Sequence, residues 1–338
     1  MRIYNLFPRL TGTFQQWTPH IERAGAMGFD WVFVNPIQQT GKSRSLYSLS
    51  DYFGLNPDFC DPSSSESPEQ QLKSVVQHAE RCGIRMMVDL VINHCAFDSA
   101  LVKERPHWFL REHDGNVAHP FCMEDGRKVV WKDLARFDHR GTSDRDGLHA
   151  YFLEVIEYLV GLGFKGFRCD AAYQLPRDLW QKLISRTKRR YPDTVFAAET
   201  LGCTADRTKQ MAQAGFDYVF NSSKWWDFGS PWLLEQYHLV RESAPSISFP
   251  ESHDTTRLFD EMHGNVAALK QRYFFGALFS GGVMMPIGYE YGFRKKLNVV
   301  NTTTADWEQT DLDLSDYIKK VNAIKAGQLP AGVRVRNA

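Results

Sequence analysis

Short apolar runs alternate with longer amphipathic stretches along most of the 338-residue chain. The runs are rich in Val, Ile, Phe and Met, and their near-continuous hydrophobicity is typical of strands buried on both faces. Eight such runs predict eight strands, at residues 2–7, 31–37, 84–91, 166–171, 194–199, 218–221, 246–250 and 283–287.

The amphipathic stretches between these runs predict helices. Residues 13–28, 67–83 and 146–163 each end on a glycine, which commonly stops a helix, and a last helical pattern covers 314–327. Eight strands that alternate with helices predict an α/β protein with a closed (β/α)8 barrel, the TIM barrel. An open doubly wound sheet is the alternative, but no glycine-rich phosphate loop follows the first strand.

The connection after the third predicted strand is much longer than the others. It is rich in His, Asp, Gly and Pro, and barrel loops of this length are usually lids or small subdomains. The sequence therefore predicts a barrel whose first part is residues 1–94, an insertion at 95–145 and the remainder of the barrel at 146–338.

Polar side chains follow five of the predicted strands at their carboxyl ends, where barrel enzymes place their active sites. They are Tyr47, Asp51 and Tyr52 after the second strand, Asp89, Asn93 and His94 at the third, Arg168 and Asp170 at the fourth, Glu199 at the fifth, and His253 and Asp254 after the seventh. Because these strand ends meet at one rim, the side chains are expected to lie close together.

Asp170, Glu199 and Asp254 suggest acid–base or glycosyl-transfer chemistry. Retaining glycoside cleavage needs one carboxylate as nucleophile and one carboxylic acid as proton donor. Arg168 lies two residues before Asp170 and thus on the same strand face, where it would keep that carboxylate charged. Crowding by other negative charges would raise the pKa of Glu199 and suit it to the role of acid.

Charge and composition limit the classes of partner that the protein is expected to bind. Lys plus Arg and Asp plus Glu number 40 each, so neither nucleic acid nor an anionic membrane surface is indicated as a partner. The sequence contains no run of about 18 apolar residues, so no membrane span is predicted. The six cysteines are scattered without a CxxC pair, which indicates free thiols and a cytoplasmic protein.

Four segments, "DLVINH", "GFRCDAAY", "FAAET" and "FPESHDT", resemble in order the four sequence regions of the α-amylase family, glycoside hydrolase family 13. The resemblance extends from the first strand to "GGVMMPIGYEYG" at the eighth. It implies an enzyme acting on α-glucosidic bonds of an α-glucan or maltooligosaccharide, and it identifies the insertion with the family's domain B. The family's C-terminal β-sandwich is expected to be absent.

The resemblance also implies a role for eight of these residues. Asp170 corresponds to the nucleophile, Glu199 to the general acid/base, and Asp254 to the carboxylate that stabilises the transition state. Arg168 would orient Asp170, and Asp89 would brace Arg168. His94 and His253 would hydrogen-bond the sugar, and Tyr47 would stack on it.

The chain departs from the family pattern after the nucleophile, where Ala172, Tyr173 and Gln174 replace the frequent Lys-His pair. Asn93 can be a calcium ligand in amylases, but its usual partners are not evident, so neither a metal nor another cofactor is expected. The segment "EYGFRKKLNV", followed by "ADWE", resembles bacterial maltosyltransferases that use maltose 1-phosphate.

The sequence leaves several functions open. The enzyme could hydrolyse or transfer, it could be a maltosyltransferase, or the barrel could be a non-catalytic carbohydrate-binding module. The oligomeric state is not determined by the sequence. We expect Glu251 to be a charge on the rim, Glu290 to be a structural hydrogen-bonding group, and Trp131, Trp225 and Trp226 to serve in packing.

Overall fold

A computed structural model describes residues 1–124 and 127–327. Eight parallel strands in it close into a barrel in chain order, with the last strand pairing with the first. The strands are β1 Arg2–Leu6, β2 Trp31–Val34, β3 Arg85–Leu90, β4 Gly166–Cys169, β5 Val195–Ala198, β6 Tyr218–Phe220, β7 Ser246–Ser248 and β8 Gly282–Pro286. The predicted (β/α)8 barrel is therefore confirmed, and the open sheet is excluded.

One principal helix follows each strand. The helices are α1 Thr18–Ala26, α2 Pro68–Arg81, α3 Arg145–Gly161, α4 Arg177–Arg190, α5 Ala205–Ala212, α6 Trp232–Val240, α7 Val266–Phe279 and α8 Ser315–Lys325. Local sequence explains several helix starts. Ser67 accepts a hydrogen bond from the Gln70 amide at the start of α2, and Asp144 accepts one from the Gly147 amide at the start of α3. Short helices also lie at Pro8–Thr11, Ala100–Glu104 and Leu258–Glu261.

The strand side chains divide into two apolar layers. Trp31, Phe33 and Met87 pack with other side chains inside the barrel, whereas Val32 and Val34 belong to the larger layer between barrel and helices. This alternation is the expected consequence of the two-residue period of a strand. Along β4, Phe167 and Cys169 face the helix layer, so the intervening Arg168 faces the barrel axis.

The segment between β3 and α3 forms small antiparallel elements of its own. His94–Ala96 pairs with Leu134–Arg136, and Phe121–Glu124 pairs with Arg127–Val130. Phe109 and Phe137 stack within the segment at a centroid distance of 4.7 Å. The interpretation of residues 95–145 as a domain remains a prediction.

The described residues contain no β-sandwich beyond the barrel. The part of the third predicted domain at 328–338 lies outside the described residues. No helix in the described part of the chain is long and apolar enough to cross a bilayer.

Candidate active site

The carboxyl ends of the strands open into a cleft of about 1410 Å³. Six of the eight residues predicted for the site line it, namely Tyr47, His94, Arg168, Asp170, Glu199 and Asp254. The other two, Asp89 and His253, are buried and contact that group. The fold thus brings together all eight side chains, which come from separate parts of the chain.

Arg168 is the centre of the site's charge network. The strand register places it beside Asp89 on β3, and its Nη1 donates to Asp89 Oδ1 at 2.7 Å and to Asp170 Oδ1 at 2.9 Å. Its Nη2 lies 3.8 Å from Glu199 Oε2. Burial disfavours the guanidinium charge, but Asp89 and the neighbouring acidic groups more than offset this and raise the pKa of Arg168 well above its usual value. The group therefore remains a cation in a buried position.

Tyr47 connects the two sides of the cleft floor. Its hydroxyl donates to Asp89 Oδ2 at 2.8 Å, lies 2.8 Å from His253 Nε2, and accepts from Asn35 Nδ2 at 3.1 Å. The Tyr47 ring stacks on His253 with 9° between the planes. The backbone carbonyl of Tyr47 also lies 3.2 Å from His94 Nε2. Tyr47 is thus held in place from several directions, and Asn35 is a supporting residue that sequence reasoning missed.

Glu199 is held by backbone groups from the turn after Asp170. The Ala171 amide donates to Glu199 Oε2 at 2.6 Å. Ala171 adopts a left-handed conformation at φ 43°, which is uncommon outside glycine. Burial, together with the negative charges of Asp170 and Asp254, raises the pKa of Glu199 to about 7, although Arg168 and the Ala171 amide act in the opposite direction. A carboxyl group with this pKa is substantially protonated near neutral pH.

The loop after β7 carries His253 and Asp254. His253 Nε2 lies 3.1 Å from Asp254 Oδ2. The expectation that Glu251 is a rim charge is wrong, because its side chain is 1% exposed and accepts from Arg257 Nη1 at 2.8 Å. Glu251 also accepts from the Leu258 amide, so the pair closes the base of the loop. The sequence signal was an acid and an arginine six residues apart around "SHD".

Three tryptophans were expected to pack, and they differ in exposure. Trp226 is buried at 8% exposure, while Trp131 and Trp225 are 37% and 52% exposed and line the cleft. Glu290 is fully buried and accepts hydrogen bonds from the Tyr4 hydroxyl and the Gly288 amide, which agrees with a structural role.

Asn93, the residue that can be a calcium ligand in the α-amylase family, contacts Gln174 in this structure. The Asn93 amide donates to Gln174 Oε1 at 3.2 Å, so this side chain is engaged by the residue that departs from the family pattern. Among residues 1–124 and 127–327, no group of three or more His, Cys, Asp and Glu is arranged to hold a metal ion.

The chain is similar to one sequence family and to several curated proteins. Residues 1–111 match the family model of the glycogen debranching enzyme, glucanotransferase domain. Over 96% of its length, the chain is 25% identical to an α-1,4-glucan:maltose-1-phosphate maltosyltransferase from Burkholderia pseudomallei and 25% identical to one from Methylacidiphilum infernorum. The chain spans only 29% and 51% of the lengths of these two relatives.

Solved structures with the same fold include α-amylases. An α-amylase from Lactobacillus plantarum superimposes with a TM-score of 0.78 at 22% identity, covering 97% of this chain and 80% of the other. A maltogenic α-amylase from Thermotoga neapolitana gives 0.76 at 24% identity, covering 97% and 76%. The chain therefore has the α-amylase-type barrel, and the resemblance to the α-amylase family indicated by its motifs is confirmed.

Proposed function

We propose that this protein cleaves α-glucosidic bonds with retention of configuration, through a covalent glycosyl–enzyme on Asp170. The observation that carries the proposal is the contact of one buried guanidinium, that of Arg168, with both Asp170 and Glu199 at the floor of the cleft. Retaining glycosidases need two carboxyl groups in different protonation states close to one bond. The pairing of Asp170 with Arg168 and the raised pKa of Glu199 support these two roles.

In the first step Asp170 attacks the anomeric carbon of the bound sugar. Arg168 donates to Asp170 Oδ1 and holds the carboxylate in position, and the Asp170 side chain is 13% exposed and lines the cleft. As the C–O bond breaks, Glu199 donates its proton to the leaving oxygen, which departs as a hydroxyl. The raised pKa of Glu199 makes it protonated at the start of this step.

In the second step Glu199, now charged, removes a proton from the acceptor hydroxyl, which attacks the anomeric carbon and releases Asp170. Asp254 supplies a further negative charge that would stabilise the cationic character of the transition state. Tyr47, His94 and Asp254 line the same cleft. His94, His253 and Asp254 would hydrogen-bond the sugar, and Tyr47, which lies against His253, would stack on it.

The acceptor decides between hydrolysis and transfer. The relatives that cover 96% of this chain are maltosyltransferases, which favours a sugar hydroxyl as acceptor and maltose 1-phosphate as a second candidate donor. A non-catalytic binding module is disfavoured by the presence of Asp170, Glu199 and Asp254 in one cleft. We keep a cytoplasmic location as part of the proposal, because Cys60, Cys82, Cys95, Cys169 and Cys203 are free thiols.

Product analysis tests the proposal. The protein is incubated with maltooligosaccharides, with and without inorganic phosphate, and separately with maltose 1-phosphate plus glucan, beside an Asp170→Asn control. Short sugars alone indicate hydrolysis, redistributed chain lengths indicate glucan transfer, and maltose 1-phosphate formed only with phosphate indicates the maltosyltransferase reaction. Equal activity of Asp170→Asn and the wild type would refute the nucleophile assignment.

A further inference from the structure

A second cavity, of about 410 Å³, lies at the amino-terminal ends of α3 and α4, outside the group of catalytic carboxyls. Its wall is strongly basic. The residues that matter are His139, Arg140, Arg145, His149, Arg177 and Asp178. Arg140 and Arg177 also line the large cleft, so the two cavities share part of a wall.

The three arginines have no carboxylate partner. Within residues 1–124 and 127–327, no acidic oxygen lies within 4 Å of a guanidinium nitrogen of Arg140, Arg145 or Arg177, and Asp178 forms no ion pair either. Arg145 donates to the Arg140 carbonyl, and Arg177 Nη2 donates to the Gln213 carbonyl at 3.0 Å. These bonds hold Arg145 and Arg177. Since each guanidinium has five N–H donors, all three exposed arginines keep donors that a ligand could use.

Two buried histidines in the same wall also have free ring nitrogens. His149 is 4% exposed, and neither of its ring nitrogens has a hydrogen-bond partner. His139 is 5% exposed; its Nε2 lies 2.7 Å from the Ile92 carbonyl, while Nδ1 has no partner. The two rings stack at a centroid distance of 6.2 Å. Buried polar groups without partners are costly, and a ligand in the cavity that hydrogen-bonds these rings would remove that cost.

The start of α4 contributes backbone donors at the same place. Arg177, Asp178 and Leu179, the first three residues of this 14-residue helix, line the cavity, and Pro176 at the N-cap offers no capping side chain. The amides of a first helical turn have no acceptor within the helix, and the helix dipole favours an anion there.

We propose that this cavity is a binding site for a phosphate group, held by Arg140, Arg145 and Arg177 with His149 and the first turn of α4. The charge of the three arginines exceeds that of Asp178, the one carboxylate in the wall. The guanidinium fork matches phosphate oxygens, and helix starts bind the same group. The phosphate can be free inorganic phosphate or part of a sugar phosphate whose sugar extends past Arg140 and Arg177 into the cleft.

Calorimetric titration with inorganic phosphate at constant ionic strength tests the site. We expect saturable binding to the wild type and binding weaker by about tenfold or more in Arg177→Gln and Arg145→Gln, because each variant loses charge-assisted hydrogen bonds. His149→Phe keeps the ring shape without its nitrogens and should also weaken binding. Arg189→Gln is the matched control and should bind like the wild type. Arg189 lies on the same helix, is exposed and has no ion pair within the described residues.

The source of the phosphate is distinguished by titrating glucose 1-phosphate into Asp170→Asn protein, which separates binding from turnover and from the proposed catalysis. Tighter binding than inorganic phosphate, lost in Arg177→Gln, indicates a sugar phosphate; equal affinity indicates free phosphate. Circular dichroism and thermal unfolding without phosphate verify that each variant is folded. Absence of phosphate binding to the folded wild type, or equal binding by Arg177→Gln, Arg145→Gln and Arg189→Gln, would overturn the proposal.

Discussion

Two buried arginine–carboxylate pairs lie at the same rim of this barrel and differ in what surrounds them. Arg257 and Glu251 are each 1% exposed, and the remaining Arg257 donors reach the carbonyls of Ile287 and Lys295. Arg168 is also buried, with a side chain 5% exposed, but its partners Asp170 and Glu199 line a cleft. The Arg257–Glu251 pair is fully hydrogen-bonded within the protein, whereas the carboxylates around Arg168 present acceptor oxygens to a ligand.

The comparison separates two uses of a buried charge. A fully satisfied pair fixes a loop, and in this molecule the Glu251–Arg257 pair fixes the loop that carries His253 and Asp254. At the second pair, burial and neighbouring negative charges outweigh the shared cation and raise the pKa of Glu199, which is what acid–base chemistry requires. We therefore expect mutations at the first pair to change mainly stability, and mutations at the second to change mainly activity.

The largest expected effect is that of Asp170→Asn. The change removes the charge of the proposed nucleophile while Asp89 continues to pair with Arg168. We expect kcat on maltooligosaccharides to fall on the order of 10⁴-fold, because the covalent step is lost, with little change in the free energy of unfolding. Steady-state kinetics and urea unfolding measure the two quantities. A large loss of stability with retained kcat would remove the contrast between the pairs.

Arg257→Met should give the opposite pattern. Removing the cation leaves Glu251 buried without its partner, and breaking a buried pair in this way typically costs about 3–5 kcal/mol of unfolding free energy. Urea unfolding measures the loss. Replacing both partners at once, with Glu251→Gln in the same protein, should restore part of it, since no uncompensated charge remains. An unchanged stability in Arg257→Met would show that the closed pair does not stabilise the loop.

Glu199→Gln should raise stability at alkaline pH. The pKa of Glu199 in the folded protein, about 7, is above its usual 4.5, so the folded state binds the proton more tightly and wild-type stability decreases as pH rises through this window. The amide cannot ionise. At pH 8 we expect a gain on the order of 3 kcal/mol in unfolding free energy, vanishing below about pH 4.5. Urea unfolding at both pH values measures it.

The raised pKa of Glu199 should also affect the pH dependence of wild-type kinetics. Because Glu199 must be protonated to act as the acid, kcat/KM should fall as pH rises above about 7. Glu199→Gln should lose most activity on natural glucans but less on aryl glycosides whose leaving groups need no proton. A pH profile of kcat/KM that stays flat from pH 6 to about 9 would contradict the assignment of Glu199 as the acid.

The smallest effect is expected for Tyr47→Phe. The change removes a hydroxyl that bonds Asp89 and His253 but keeps the ring that stacks on His253. We expect a loss of about 2 kcal/mol in unfolding free energy and roughly a tenfold loss in kcat/KM, because Arg168 and His253 lose a shared neighbour. Stability and kinetics measured on one preparation test this; a loss in neither would place Tyr47 outside the network.

The sequence predicted most of the architecture, since the relevant signals are local. All eight apolar runs correspond to strands, and the segments predicted at 67–83 and 146–163 correspond to α2 and α3. The position of Arg168 and Asp170 on one strand face followed from the two-residue period of a strand. The eight rim residues followed from the rule that parallel strands present their carboxyl ends on one side.

Tertiary structure alone decided which charges meet and which are exposed. Glu251 and Arg257 pair because a loop returns on itself, and three arginines face one cavity because α3 and α4 begin side by side. The left-handed turn at Ala171 directs the Ala171 amide to Glu199. This turn could not be predicted from the sequence, because the residue is not a glycine. Hydrophobic period is a property of neighbouring residues, whereas burial, pairing and pKa depend on distant segments that only the closed barrel brings together.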